Sequence, residues 1–265
     1  MLIRACSKRT GRTMIPPLRT PWFTLPQPQP QAQVRLFGFP HAGGGTVFFR
    51  PWLAHTPPNI EWCLVALPGR EQRLREPPVQ RLEHLVALLA EAIIPFLSKP
   101  AVFWGHSMGA FVAFELAREL VRRQHGGPVH LVVSGQRAPQ RSAAPPPIHH
   151  LPEAAFVAAI QQRYDAIPAP ILQEPELLQL FLPALRADVA LLETYTYHER
   201  ARLRCPISAF GGTDDATISA DDIAAWQAQT DGAFRVRMFP GGHFFPNALR
   251  SEMLRALAQD LAAVP

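Results

Sequence analysis

Three cysteines in 265 residues, Cys6, Cys63 and Cys205, are too few and too scattered for a disulfide framework, and no Cys-x-x-Cys pair supplies a zinc ligand set. Their odd number and wide spacing suit a reducing compartment. The cytoplasm is therefore the expected location, and no metal is expected. No apolar run approaches the roughly 20 residues that a membrane span requires. With hydrophobic residues at 48% and charged residues at 18%, the composition is that of a soluble globular chain, long enough for one α/β domain with an insertion. Acidic residues are missing from positions 1–20, where Arg4, Lys8, Arg9, Arg12 and Arg19 account for the whole formal net charge of +5. The remainder is balanced. No basic stripe is left to neutralise phosphates, which excludes a nucleic-acid-binding fold.

Residues 1–31 also hold Pro16, Pro17, Pro21, Pro26, Pro28 and Pro30, and this basic, Pro-rich extension is expected to be extended or disordered. It lacks the apolar core and small-residue cleavage site of a secretory signal. Met14 offers an alternative start. From residue 33 onward, short apolar runs at Val34–Phe39, Trp62–Leu67, Ala101–Trp104, Val129–Ser134, Pro206–Phe210 and Phe234–Phe239 alternate with helical patterns. Runs apolar on both faces predict a mainly parallel sheet covered by helices. Leu82, Leu85, Val86, Leu89, Ile93 and Phe96 keep helical spacing, Ser219-Ala220-Asp221-Asp222 reads as a capped helix start, and a last helix is expected from about Asn247 to Leu261. Residues 32–136 and 204–265 then form the core. About seventy residues between the fourth and fifth of these strands exceed any simple crossover, so 137–203 is read as an insertion. It opens on a Pro-rich linker, Arg137 to Leu151, followed by helical patterns at Pro152–Tyr164 and Glu174–His198. Leu178, Leu182, Leu185, Val189 and Leu192 share one face, with Phe181 and Tyr195 nearby. Its place after a parallel strand predicts a helical lid over a site, able to shift as a unit on its linker, with Leu178 and Leu182 as candidate acyl contacts.

Chemistry concentrates in glycine-flanked turns. Gly105-His106-Ser107-Met108-Gly109 lies between an apolar strand and an amphipathic helix, and its small flanking residues permit a turn tight enough to force a serine hydroxyl outward. A serine needs a base, and Phe239-Pro240-Gly241-Gly242-His243 supplies His243 after the last strand. Among 10 histidines only His41 and His106 also flank the proposed site. The acid belongs between them in sequence. Phe210-Gly211-Gly212-Thr213-Asp214-Asp215 gives two candidates, of which Asp215 is preferred by its spacing from Gly212 and Ile218; Asp214 is the alternative. Pro40-His41-Ala42-Gly43-Gly44-Gly45 matches neither a dinucleotide fingerprint nor a P-loop. It suits an oxyanion loop, with the backbone N–H groups of Ala42 and Met108 as donors and His41 as a neighbouring substrate contact. The order Ser107, Asp215, His243 is that of the α/β-hydrolases.

Several segments together resemble the type II, or external editing, thioesterases that accompany polyketide and nonribosomal peptide synthases in antibiotic biosynthesis. They are Arg35-Leu36-Phe37-Gly38-Phe39-Pro40-His41-Ala42-Gly43-Gly44, Leu67-Pro68-Gly69-Arg70-Glu71, Gly105 to Ala110, Leu182-Pro183-Ala184-Leu185-Arg186-Ala187-Asp188, and Phe239 to Phe245. The resemblance implies the α/β-hydrolase fold and hydrolysis of acyl thioesters on the phosphopantetheine arm of carrier proteins. It gives Ser107 the role of nucleophile, His243 that of base, Asp215 that of its orienter, and Ala42 and Met108 those of oxyanion donors, with no cofactor. No Asp-Ser-Leu carrier segment occurs in the chain, so the carrier is expected as a separate partner, and Arg70, Arg73 and Arg75 are candidates to meet it. The rival readings are a medium-chain fatty acyl thioesterase, a general carboxylesterase, and a non-catalytic protein that docks on a synthase.

Overall fold

The computed structural model describes residues 20–141 and 146–262. Seven strands form one sheet in the order β1-β3-β2-β4-β5-β6-β7. They are β1 (Phe23–Thr24), β2 (Val34–Phe39), β3 (Ile60–Val65), β4 (Ala101–His106), β5 (His130–Ser134), β6 (Ile207–Gly212) and β7 (Phe234–Phe239). All neighbours run parallel except β1, which pairs antiparallel with the end of β3 through Phe23 opposite Val65. The mainly parallel α/β architecture read from the six apolar runs is thus present. Strand alternation explains why both neighbours in each run are apolar. Phe37, Phe103 and Val133 face one buried cluster with Phe114 and Leu116, while Leu36, Val102, Trp104 and Val132 face another with Phe49, Trp52 and Met253.

Helices α1 (Leu82–Ala92) and α2 (Met108–Arg122) pack on each other over the first of these faces. Helices α3 (Glu153–Tyr164), α4 (Ala169–Gln173) and α5 (Pro175–Glu193) lie between β5 and β6 in the chain, and α6 (Ala220–Ala224) and α7 (Arg250–Ala262) follow. The capped start at Ser219 is real: its hydroxyl accepts from Asp222 N–H while the Asp222 carboxylate accepts from Ser219 N–H. The second helical pattern of the insertion stops at Glu193 rather than His198, and α4 lacks the length to give a periodic signal.

The start of the chain is expected from its sequence to be extended or disordered. Residues 1–19 lie outside the described residues, but from Thr20 the Pro-rich extension is built into the fold. Phe23 is buried, with its ring 5.7 Å from that of Phe37 and 5.2 Å from that of Phe96. Pro21 and Pro26 flank this outermost strand, where no further ladder demands their missing N–H.

The strand order fixes where a site can form. From β2 the chain moves outward to β3, then returns to the other side of β2 as β4, and afterwards proceeds in the opposite direction. Loops leaving the carboxyl ends of β2 and β4 therefore diverge and open a crevice between them. Phe39 of β2 pairs with Gly105 of β4, which sets the loop 40–45 beside Ser107.

Candidate active site

Ser107 joins β4 to α2 with φ 53° and ψ −118°, a conformation that an L-residue holds only under constraint. The constraint is steric and bonded. A Cβ on Gly105 would collide with the Gly109 carbonyl, and one on Gly109 with the Phe39 carbonyl, so strand and helix approach as closely as backbone allows. Ser107 N–H donates to Ser134 O at 2.8 Å, and Ser107 O accepts from Ala110 N–H at 2.9 Å. The side chain is left at the amino end of a 15-residue helix, where unpaired N–H groups favour negative charge.

His243 arrives from the loop after β7 and bridges two groups. Its Nε2 is 3.0 Å from Ser107 Oγ and its Nδ1 is 2.8 Å from Asp215 Oδ2. An ionised carboxylate only accepts, so Nδ1 carries the proton and Nε2 presents its lone pair to the serine hydroxyl. The other Asp215 oxygen accepts from Thr217 N–H at 2.9 Å and from Thr217 Oγ1 at 2.7 Å. Burial works against the charge of Asp215, but the hydrogen bonds from His243 and Thr217 outweigh it and hold its pKa below the ordinary carboxylate value. Asp214 is exposed and accepts from Gly241 N–H at 3.2 Å, stapling the histidine loop without touching the ring.

His41 and His106 pack beside this array, the His106 ring tilted to that of His243 and edge-on to that of His41. The His106 ring centroid is 5.4 Å from that of His243 and 6.3 Å from that of His41, and Phe48 and Phe244 fill the remaining sides. Burial lowers the His41 pKa to about 4, and burial with the neighbouring His243 and His41 keeps that of His106 well below its usual value. Both rings stay neutral, so neither competes with His243 as a positive centre.

Ser107 and His243 open onto a cavity of about 410 Å³ lined by His41, Ala42, Phe111, Ile148, Ile160, Tyr164, Leu185, Val189, Leu192, Ile218 and Phe244, with Gln136, Arg163 and Thr217 adding polar groups. The insertion does supply one wall, through Leu185, Val189 and Leu192 of the expected stripe, though not through the two residues singled out as acyl contacts. Leu178 and Leu182 are absent from the lining: Leu182 is buried among Phe156, Ile160 and Ile167, and Leu178 packs against the same cluster. Leu185 and Val189, one and two turns further along α5, take their place. The helix α5 is tied both to the core and to the insertion's own linker. Asp188 of α5 pairs with Arg70 at 2.6 Å, Glu193 accepts the N–H groups of Ile148 and His149, and Arg186 donates to the carbonyls of His149 and Leu151. Arg70 and Arg73 are consequently unavailable to a partner. Arg73 is buried against Glu76 with its guanidinium 4.0 Å from the Trp22 ring centroid, which leaves Arg75 exposed. Thr217 carried no sequence signal, Tyr164 only closed a helical pattern, and Phe244 stood in a segment of the resemblance without a role assigned to it. Among the described residues no cluster of three or more His, Cys, Asp or Glu could hold a metal ion, and no helix is long and apolar enough to cross a membrane.

A serine at a strained strand-to-helix turn, hydrogen-bonded to a histidine held by an aspartate at the switch point of a parallel sheet, defines an α/β-hydrolase. Comparison with known proteins narrows the class. A family model described as a thioesterase domain matches residues 34–262. The gramicidin S biosynthesis protein GrsT of Aneurinibacillus migulanus is 39% identical over 92% of this chain and 94% of its own length. Thioesterase PikA5 of Streptomyces venezuelae is 38% identical over 91% of this chain and 85% of its own. The solved structure of the type II thioesterase BorB from the borrelidin biosynthetic cluster matches with a TM-score of 0.81 at 33% identity, covering 91% of this chain and 96% of that one. The chain belongs to the thioesterase family, enzymes that hydrolyse thioesters, and the BorB structure it resembles is that of a type II thioesterase.

Proposed function

We propose that this thioesterase removes acyl groups stalled or misprimed on the phosphopantetheine arm of separate carrier proteins of a polyketide or nonribosomal peptide synthase, through an acyl-enzyme on Ser107. The observation that carries the reading is the chain of hydrogen bonds from Asp215 through His243 to Ser107, ending at a mostly apolar cavity. Likeness to BorB, a type II thioesterase from a biosynthetic cluster, to ClbQ from the colibactin NRPS/PKS pathway and to the type II thioesterase YbtT from the yersiniabactin NRPS/PKS pathway supports the pathway type.

In the reaction, His243 Nε2 takes the hydroxyl proton as Ser107 Oγ attacks the thioester carbonyl carbon. The oxygen becomes an oxyanion between the N–H groups of Ala42 and Met108, each worth about 3 kcal/mol of transition-state stabilisation by analogy with other such donors. Collapse breaks the C–S bond, and the departing pantetheine sulfur takes the proton from His243. A thiol with a pKa of about 8.5 leaves readily, so no further acid is required. Water then attacks the Ser107 ester with His243 again as base, releasing the carboxylic acid and the serine. Asp215 fixes the ring and stabilises the imidazolium in both halves.

The test compares kcat/KM for one acyl group presented as acyl-carrier protein, acyl-CoA and an oxygen ester, with Ser107→Ala beside the wild type. Highest efficiency on the carrier and abolished turnover in Ser107→Ala are expected. Undiminished hydrolysis by Ser107→Ala would sink the reading. Preference for medium-chain acyl groups at the expense of short ones would shift it to fatty acyl chain release.

A further inference from the structure

Two segments singled out in the sequence, Leu67–Glu71 and Leu182–Asp188, take no part in the chemistry above. They meet at the oxyanion loop. The Asp188 carboxylate is 2% exposed and accepts from both terminal nitrogens of Arg70, at 2.6 and 2.8 Å. Its Oδ2 also accepts the Gly43 N–H at 2.7 Å, while Arg70 Nη1 donates to the Gly44 carbonyl at 2.9 Å. One ion pair thus grips the loop twice, by an N–H and by a carbonyl.

The consequence follows from peptide planarity. In a trans peptide the N–H and C=O point in opposite directions, and no cis bond occurs among the described residues. The His41–Ala42 unit has its carbonyl held by Gly44 N–H at 2.9 Å, so the direction of its own N–H, that of Ala42, is set. The next unit, Ala42–Gly43, is bonded at both ends: its carbonyl lies 2.9 Å from His41 Nδ1, which must donate because a carbonyl only accepts, and its N–H goes to Asp188. Gly43 allows this with φ +74°, in a space where a Cβ would meet the Phe181 ring.

We propose that Arg70 and Asp188 are positioning residues for the oxyanion hole, committing Gly43 N–H to Asp188 so that Ala42 N–H is the loop donor turned to the substrate oxygen. The proposal rests on the function given above. It also couples the two halves of the site, because α5 carries Asp188 on the same helix as the cavity-lining Leu185 and Val189.

Two double variants separate positioning from general damage. Arg70→Met with Asp188→Leu removes both charges and the acceptor for Gly43 N–H. Arg70→Met with Asp188→Asn removes both charges and keeps an acceptor. Replacing a buried ion pair by neutral groups of similar volume is often tolerated, so cooperative melting is expected of both. The readouts are kcat, KM, inhibition by an acyl trifluoromethyl ketone thioether, which adds Ser107 and creates an oxyanion, and binding of an acyl thioether, which cannot. The Leu double should lose at least about tenfold in kcat and in ketone affinity, with KM and thioether affinity within about twofold. The Asn double should exceed the Leu double by about threefold or more in kcat. Equal kcat in both doubles, or parallel loss of ketone and thioether affinity, would overturn the proposal. So would failure of both to fold, which would make the pair a requirement of the fold. Ser107→Ala in the same assays keeps the two questions apart, since persistent turnover there refutes the serine mechanism whatever the doubles do.

Discussion

Asp214 and Asp215 are chemically identical neighbours, and only their surroundings assign them different work. The Asp215 side chain is buried and faces His243 and Thr217; Asp214 is exposed and caps Gly241. Asp215→Asn removes the acceptor that selects the Nδ1–H tautomer and should lower kcat by about 10⁴, as the equivalent change does in another serine-histidine-aspartate triad. Asp214→Asn should change kcat by less than about tenfold. Steady-state kinetics on one acyl-carrier protein decides between them, and the reverse ranking would refute the assignment. At this scale Ser107 and His243 were legible because glycines mark turns that few other purposes require. Arg70 was not: nothing local distinguishes a guanidinium destined for a carboxylate in a distant helix from one that points to solvent, and charge invited the surface reading. Asp188 stood in a recognisable segment without any sign of what it bonds.

At the scale of elements, β2 and β7 begin and end where hydrophobicity places them: β2 is buried at every residue after Val34, and β7, at the edge of the sheet, keeps apolar residues at both ends although Arg235 and Arg237 interrupt it. A helical stripe carries less information. It tells which face is covered but not by what, and α5 spends the amino end of its stripe on α3 and α4 and the later turns on the cavity. Leu178 and Leu182, at the amino end of that stripe, therefore lie outside the cavity lining. Replacing Leu185 or Val189 by Asn should therefore reduce kcat/KM for long acyl chains more than for acetyl, since each methylene removed from water contributes about 0.8 kcal/mol, roughly fourfold. Leu178→Asn should leave the chain-length profile unchanged. A series of acyl-carrier proteins of increasing length provides the measurement, and uniform loss across that series would remove α5 from the acyl site.

For the whole molecule, buried neutral histidines set the acid limit of stability. His130, the first residue of β5 and 2% exposed, has its pKa lowered to about 4, chiefly by burial, with Arg235 and Arg237 adding to the effect and Asp260 opposing it. His41 and His106 are shifted the same way. As pH falls below the ordinary histidine value near 6.5, the unfolded chain takes up protons that the native state refuses, so stability is lost between about pH 6.5 and 4. For His130 alone the loss is on the order of 3 kcal/mol at pH 4. Asp260 acts in a lower window. Burial opposes its charge, yet hydrogen bonds from Arg237, Ser208 and Arg235 bring its pKa to about 2, so its contribution is present above about pH 4 and disappears as pH falls through 2. Melting temperature should be flat near neutrality and drop steadily below pH 6.5; a Tm unchanged down to pH 4.5 would contradict it.

The acyl-enzyme is the centre of the account. Acyl-carrier protein mixed with enzyme and quenched in acid within the first turnover, followed by peptide mass mapping, should show the acyl mass on the peptide containing Ser107 and nowhere else. The adduct should vanish in Ser107→Ala together with release of the free acid. Free acid formed at the wild-type rate without any adduct on Ser107, or an adduct on another residue that survives in Ser107→Ala, would contradict the mechanism.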